Sequence, residues 1–348
     1  MTDFALNCPL PVKRHDRILL GHGSGGALSH ELMENVFKPA FDNDLLRQSH
    51  DGAVMTLTGK RLAVTTDSYV VQPLFFPGGD IGKLAVFGSV NDLAMCGAKP
   101  LYLTAAFIIE EGFEIALLTR IVTSMQEAAR HSGVSIIAGD TKVVEKGKAD
   151  GIFINTTGIG VLGHESVVAP SSIKAGDSII LSGDIGRHGM AVMAAREGLL
   201  LESSIESDAA ALADTVGELF KRGLLVHCLR DLTRGGLATA LVELSRSSGF
   251  DMHVREQSAL VAPAVRGLCE ILGLDPWYVA NEGRFVCFVP SVDEGAALAV
   301  LRNGPGGESA AVIGRVREER NACVVMENVL GTSRVVEMLP GQLLPRIC

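Results

Sequence analysis

The stretch Ala53-Val54-Met55-Thr56-Leu57-Thr58-Gly59-Lys60-Arg61-Leu62-Ala63-Val64-Thr65-Thr66 decides the fold. Its two β-rich runs, residues 53–57 and 61–66, flank Thr58-Gly59-Lys60, which reads as a hairpin turn. Upstream, Ile18-Leu19-Leu20 leads into Gly21-His22-Gly23-Ser24-Gly25-Gly26, a formal G-x-G-x-x-G, and a helix is expected from about residue 28 to 37, before Pro39. A dinucleotide-binding fold needs a parallel second strand after such a helix. An antiparallel hairpin stands there instead, so the Rossmann reading fails. The glycine loop keeps two readings: a phosphate cradle of backbone amides at a helix N-terminus, or a flexible turn.

Downstream the grammar stays mixed. A long helix is expected from residue 81 to near 96, with Gly97 at its C-cap and Pro100 beyond. A second helix, about 114–132, carries Ile115, Leu118, Val122 and Met125 at helical spacing. Residues 135–138 and 152–161 read as strands. Polar punctuation across 164–176 marks the best domain break. After it come a strand at 178–182, helices at about 189–199, 208–222 and 235–247, then strand, helix and strand up to Val289. Strands are expected at 310–316 and 322–326, and periodicity is lost from Gly331. The expected organisation is an extension at 1–16, a first domain at 17–168, a second at 169–338 and a flexible tail at 339–348. The class is α/β of the α+β kind.

Composition agrees. The 348 residues suit about two domains, and 47% apolar against 20% charged residues is ample for a core. A formal charge of −9 with no Lys/Arg run argues against nucleic acid or an anionic membrane. A polyanion such as a nucleotide would need metal ions or a nest of amides. No uncharged stretch is long enough to span a bilayer, and no signal peptide is expected, since residues 1–6 show no basic run before an apolar one. Seven cysteines without a C-x-x-C pair fit neither a zinc ribbon nor a disulfide framework, so a cytoplasmic location is expected.

Acids at element ends form the chemical pattern. Asp67 follows Leu62–Thr66, and Asp140 follows Ile136-Ile137-Ala138-Gly139, both where a strand gives way to a loop. Asp92 continues the helical stripe of Ile81, Leu84, Ala85 and Gly88. A carboxylate facing the core near a helix C-terminus opposes desolvation and the helix dipole. Its partner is either a Lys or Arg, or a hard cation; three acids after similar punctuation favour Mg²⁺. Asp140-Thr141-Lys142 sets a carboxylate beside an ammonium. Asp231-Leu232-Thr233-Arg234-Gly235-Gly236 precedes a helix, where Asp231 or Thr233 is a candidate N-cap. Asn281-Glu282-Gly283-Arg284 lies in a loop before a strand, and His22 and His188 are candidates for polar contacts. The histidines show no zinc spacing. Cys348, the last residue of the sequence, reads either as a frayed end or as a thiol that enters a distant pocket.

In order, Gly21–Gly26, Thr66-Asp67-Ser68, Leu74-Phe75-Phe76-Pro77-Gly78-Gly79-Asp80-Ile81-Gly82-Lys83, Asn91-Asp92-Leu93-Ala94, Gly139-Asp140-Thr141-Lys142, Ile154-Asn155-Thr156, Asp231–Gly236, Ala280-Asn281-Glu282-Gly283 and Pro345-Arg346-Ile347-Cys348 form a connected series. With it the chain resembles the HypE family of hydrogenase maturation proteins, within the PurM-like superfamily of ATP-dependent enzymes. The resemblance implies a two-domain fold, a mixed-sheet first domain pairing in a homodimer and an α/β sandwich second domain. It implies that Cys348 is carbamoylated by a HypF-type carbamoyltransferase and that the carboxamide is dehydrated to a thiocyanate with ATP. The cyano group then passes to iron on a HypC–HypD complex, supplying the cyanide ligands of nickel–iron hydrogenase. By correspondence Asp67, Asp92 and Asp140 hold Mg²⁺, with Gly21, His22, Gly23, Ser24, Gly25, Gly26, Lys83, Asn91, Asn155 and Asp231 around the nucleotide. Cys348, Glu282, Lys142 and Asp92 carry the catalytic roles. The remaining alternatives are another PurM-like synthetase acting on a free small substrate, and a nucleotide-gated scaffold without catalysis.

Overall fold

The computed structural model describes residues 26–32, 34–35, 47, 50–57, 59–199, 205–338, 344 and 346–348. Residues 1–16, Gly21–Gly25 of the glycine loop and most of 339–345 therefore lie outside the described residues.

The first sheet has the order β1 (Ala53–Leu57), β2 (Lys60–Tyr69), β7 (Ile152–Val161), β5 (Lys99–Glu110), β6 (Ser135–Val144). The hairpin forms as expected, with Leu57 opposite Lys60. β5 and β6 run parallel, which requires a crossover. The helix Ile115–His131 supplies it, so the periodic run after β5 and the parallel pair explain each other.

Before that crossover, the helix Ile81–Met95 (α2, after α1 at Ala27–Leu32) packs on β2, β5 and β7. The Asp80 carboxylate caps it, accepting from the amides of Gly82 and Lys83, and Gly97 ends it with φ +74°. α2 is apolar nearly all round because it is buried on both sides. Leu84, Ala85 and Phe87 belong to the first core, whereas Ala94 and Met95 pack with Leu212, Val216 and Phe285 of the second half.

The second sheet has the order β14 (Ser333–Val336), β13 (Val324–Glu327), β10 (Met252–Arg255), β12 (Ala311–Val316), β8 (Ser178–Leu181), β11 (Phe285–Val289), β9 (Cys228–Asp231). With α3 assigned to Ile115–His131, the helices α4 (Arg187–Arg196), α6 (Gly236–Ser248) and α7 (Pro263–Leu272) cover one face. α5 (Ala213–Lys221) and α8 (Glu294–Arg302) cover part of the other. Alternation sorts the strands: Ile179 and Leu181 join the first of these layers, Ile180 the second. β11 is sandwiched and buried at every position.

Two strands depart from expectation. β14 forms where periodicity was expected to vanish; it is an edge strand with Val336 alone buried, so it carries almost no alternating signal. β9 ends at Asp231, and Gly235 in a left-handed conformation, rather than Asp231 or Thr233, caps α6.

The described end of the tail is docked between the two sheets' domains. Val70 N–H donates to the Cys348 carbonyl at 2.9 Å and Gln72 N–H to the Arg346 carbonyl at 3.2 Å. Arg196 donates to the Arg346 carbonyl at 2.7 Å, and Ile347 is buried in the first core. The frayed-end reading fails for residues 346–348.

Candidate active site

The site grows from the parity of β2. Thr65, Asp67 and Tyr69 share the strand face turned towards α2, and Thr65 Oγ1 donates to Asp92 Oδ2 at 2.6 Å. Gly88 lies one turn earlier on α2, where a Cβ would fall inside the Tyr69 hydroxyl. Asp231 reaches the same cleft from the end of β9. Glu282 comes from the loop before β11, which is locked by Asn281: its Oδ1 accepts from Gly186 N–H at 2.7 Å and its Nδ2 donates to the Val279 carbonyl at 3.0 Å. Gly283 has to be glycine, because a side chain would strike the Asp208 carbonyl.

Charge defines the cleft. Burial, then Asp231, Asp67 and Asp51, raise the Asp92 carboxyl well above its ordinary value. Burial, then Asp231, Asp67 and Asp208, do the same to Glu282. Asp231 is pushed up to about 8 by burial and Asp51, against Arg230. The Cys348 thiol is raised by burial and then by Glu282, with Arg234 opposing. Burial works against the charge of Arg234, yet Cys348, Asp67, Asp92 and Asp231 hold its pKa above the usual value. Cys348 thus ends among Glu282, Asp67, Asp231 and Arg234.

Sequence reasoning missed Asp51. It stands just before β1 rather than after a strand, so the pattern of acids that follow a strand does not reach it. Arg230 contacts Asp51 Oδ1 at 3.0 Å, and the buried Oδ2 has no hydrogen-bond partner among the described residues. Asp51, Asp67, Asp92 and Asp231 act on one another electrostatically, and all offer oxygen. No group of three or more His, Cys, Asp or Glu side chains among the described residues is placed to hold a metal ion. Mg²⁺ does not need one, since it takes one or two carboxylates with phosphate oxygens and water. The unsatisfied Asp51 oxygen and the mutually repelling acids fit such an ion.

Several expected site residues lie elsewhere. Asp140, Ala106, Asn155 and Ser68 pair in one row across β6, β5, β7 and β2, on the opposite sheet face from Asp67. β6 is also three strands from β2, about 14 Å. Within one chain Asp140 therefore does not join Asp67 and Asp92. It is exposed and held by Lys142 at 2.7 Å, whose ammonium, through hydrogen bonding, lowers the Asp140 pKa. Lys142 is likewise remote from Cys348. Asn155 Nδ2 donates to Ser68 Oγ at 2.9 Å on that same outer face. Asn91 is consumed as a strut: Nδ2 donates to the Ala210 carbonyl and Oδ1 accepts from Leu212 N–H. Lys83 sits at the opposite end of α2, about 14 Å from Asp92 along the axis. There it lines a separate cavity of about 510 Å³ with Asp80 and Ser124. Of the glycine loop, Gly26 is described and buried; Gly21, His22, Gly23, Ser24 and Gly25 lie outside the described residues.

Two α/β domains around a carboxylate-lined cleft define the AIR synthase related class. The model of its N-terminal domain matches residues 49–162 and that of its C-terminal domain matches residues 174–326. The carbamoyl dehydratase HypE of Cupriavidus necator is 50% identical over 98% of this chain and 97% of its own length. A crystal structure of a HypE–HypF complex superimposes with TM-score 0.84 at 48% identity, covering 88% of this chain and 99% of that one. A crystal structure of hydrogenase maturation protein HypE with ATP gives TM-score 0.81 at 48% identity, over 95% and 100% of the two chains. The chain belongs to the HypE family of carbamoyl dehydratases.

Proposed function

We propose that Cys348 carries a carbamoyl group on sulfur and that the cleft uses ATP to dehydrate this S-carboxamide to a thiocyanate. The observation that supports the reading is the seating of Cys348 beside Glu282 and Arg234, with Asp67 and Asp231 at hand. An amide oxygen is a poor leaving group. It first attacks the γ-phosphorus, ADP departs, and one nitrogen proton passes to a base. The carbon–oxygen bond then breaks, phosphate leaves, the second nitrogen proton is lost and the C≡N bond is complete. Glu282, whose buried carboxylate binds protons more tightly than usual, is the base. Arg234 faces the developing negative charge. Asp67 and Asp92, with Asp51 and Asp231, would hold Mg²⁺, which would neutralise phosphate charge when bound.

The edge strand of the first sheet, with its neighbour, supports a homodimer. Ile137 and Val143 of β6 are 56% and 68% exposed, and Ile108 of β5 is 45% exposed. Apolar side chains on both faces of an edge strand call for a cover. A second copy seated there would carry Asp140, Lys142 and Asn155 towards the nucleotide. A HypF-type carbamoyltransferase is the donor and a HypC–HypD iron complex the acceptor, in the cytoplasm. Among the described residues no helix is long and apolar enough to cross a membrane.

Intact-mass measurement after supplying carbamoyl donor and Mg-ATP tests the reaction. Loss of one water from carbamoylated Cys348 is expected; an adduct that persists unchanged refutes it. A Cys348→Ala chain that turns over a free small substrate would instead favour a synthetase.

A further inference from the structure

The His188 ring is fully buried in the first turn of α4, edge-on to Phe76 with centroids 5.4 Å apart. Its Nε2 lies 2.7 Å from the Ile347 carbonyl and its Nδ1 lies 2.9 Å from Ser207 Oγ. A carbonyl only accepts, so Nε2 carries the proton, and bare Nδ1 accepts from the Ser207 hydroxyl. Ser207 Oγ in turn accepts from Ala209 N–H at 3.1 Å. Every polar atom of this chain of contacts is thus assigned. A second acceptor waits beside it: Glu282 Oε1 is 4.0 Å from Nε2, buried, and without a hydrogen-bond partner among the described residues.

We propose that His188 is a positioning residue that exchanges one hydrogen bond between the tail and the base. With Cys348 seated, Nε2–H holds the Ile347 carbonyl and leaves Glu282 Oε1 without a hydrogen bond. With the tail withdrawn, a closure of about 1 Å lets the same N–H bond Glu282. The exchange avoids leaving a buried donor and a buried carboxylate oxygen both unpaired, which would otherwise oppose withdrawal. It also makes the base available only while its substrate is in place. The inference rests on the proposed function in one respect, that Cys348 must leave the cleft to be modified.

The test needs neither ATP nor a carbamoyl donor, so it fails or succeeds separately from the dehydration reading. Full-length protein is treated with iodoacetamide and alkylation of the Cys348 peptide is followed by mass spectrometry. His188→Phe keeps the ring volume and removes the N–H; His188→Ala removes both. Each should raise the alkylation rate about tenfold, and His188→Gln, whose amide N–H still donates, should restore it to within about threefold. A native rate in His188→Phe, or no restoration by Gln, overturns the latch. Glu282→Gln weakens the competing acceptor and should slow alkylation severalfold when His188 is present and not in His188→Phe. Additive effects of the two substitutions overturn the exchange. If His188→Ala fails to fold, the Phe and Gln variants and the Glu282→Gln comparison still decide.

Discussion

Replacing Asp231 by Asn should remove part of the stability that the protein loses as the pH rises from about 4 to about 8. Burial, and after it the Asp51 carboxylate, push Asp231 up to about 8 from an ordinary 3.8. Between those values the folded chain holds a proton that the unfolded chain has released. The contribution to stability is therefore full below about pH 4 and is lost as the pH rises through about 8. The span of 4.2 pH units (8 − 3.8) is worth at most about 6 kcal/mol at ~1.4 kcal/mol each. Asp92 shares the same repulsion and titrates with it, so about 2 kcal/mol belongs to Asp231. Asn is nearly isosteric, and the backbone pairing of Asp231 with Phe285 is unaffected. In calorimetric scans at pH 5 and pH 9, the melting temperature of the second-sheet domain should fall about 4–8 °C less in Asp231→Asn than in the native chain. Adding Mg²⁺ at pH 9 should stabilise the native chain more than the variant, because an ion that binds the folded acids offsets their repulsion. Identical pH dependence in both proteins would show that Asp231 does not carry the strain assigned to it.

Three other perturbations probe separate parts of the design. Glu282→Gln should still allow carbamoylation of Cys348, severalfold more slowly, and slow its dehydration by about a hundredfold or more in single-turnover mass measurements. Gly88→Ala drives a methyl into the buried Tyr69 ring between β2 and α2, and should cost about 1–3 kcal/mol in urea unfolding. Ile137→Asp on the exposed edge strand should yield monomers in light scattering and abolish ATP-dependent dehydration, while the circular dichroism of the chain stays native.

The sequence made the scaffold legible where periodicity was strong. Ala53–Leu57 with the strand after it, Ile81–Met95, Ile115–His131 and Ile152–Val161 stand close to their expected positions, because each buries one clear face or carries a clear cap. β9 and β14 escaped notice since both are four-residue strands at the edges of the sheet. The acids were legible as a set and not as a geometry. Spacing marks Asp67 and Asp140 alike as acids where a strand gives way to a loop, yet both strands run on past them, to Tyr69 and Val144, and which face each takes depends on the register of four strands. A one-residue difference in parity moves a side chain across the sheet. Asp51 has no periodic run before it, so only the assembled cleft reveals it. His188 stands in an ordinary-looking turn, and its role depends on Ile347, 159 residues later.

The pairing of Val70 with Cys348 and of Gln72 with Arg346 has a consequence for length. The two segments run in opposite directions, so the sulfur's place in the cleft is counted off from Gln72 as on a ruler. A single residue inserted next to Arg346 would keep the segment's composition and its reach. It would also turn the thiol through to the far side of the strand, away from Glu282. In this chain the distance to the chemistry is measured in whole residues, and an error of one is as costly as losing the cysteine.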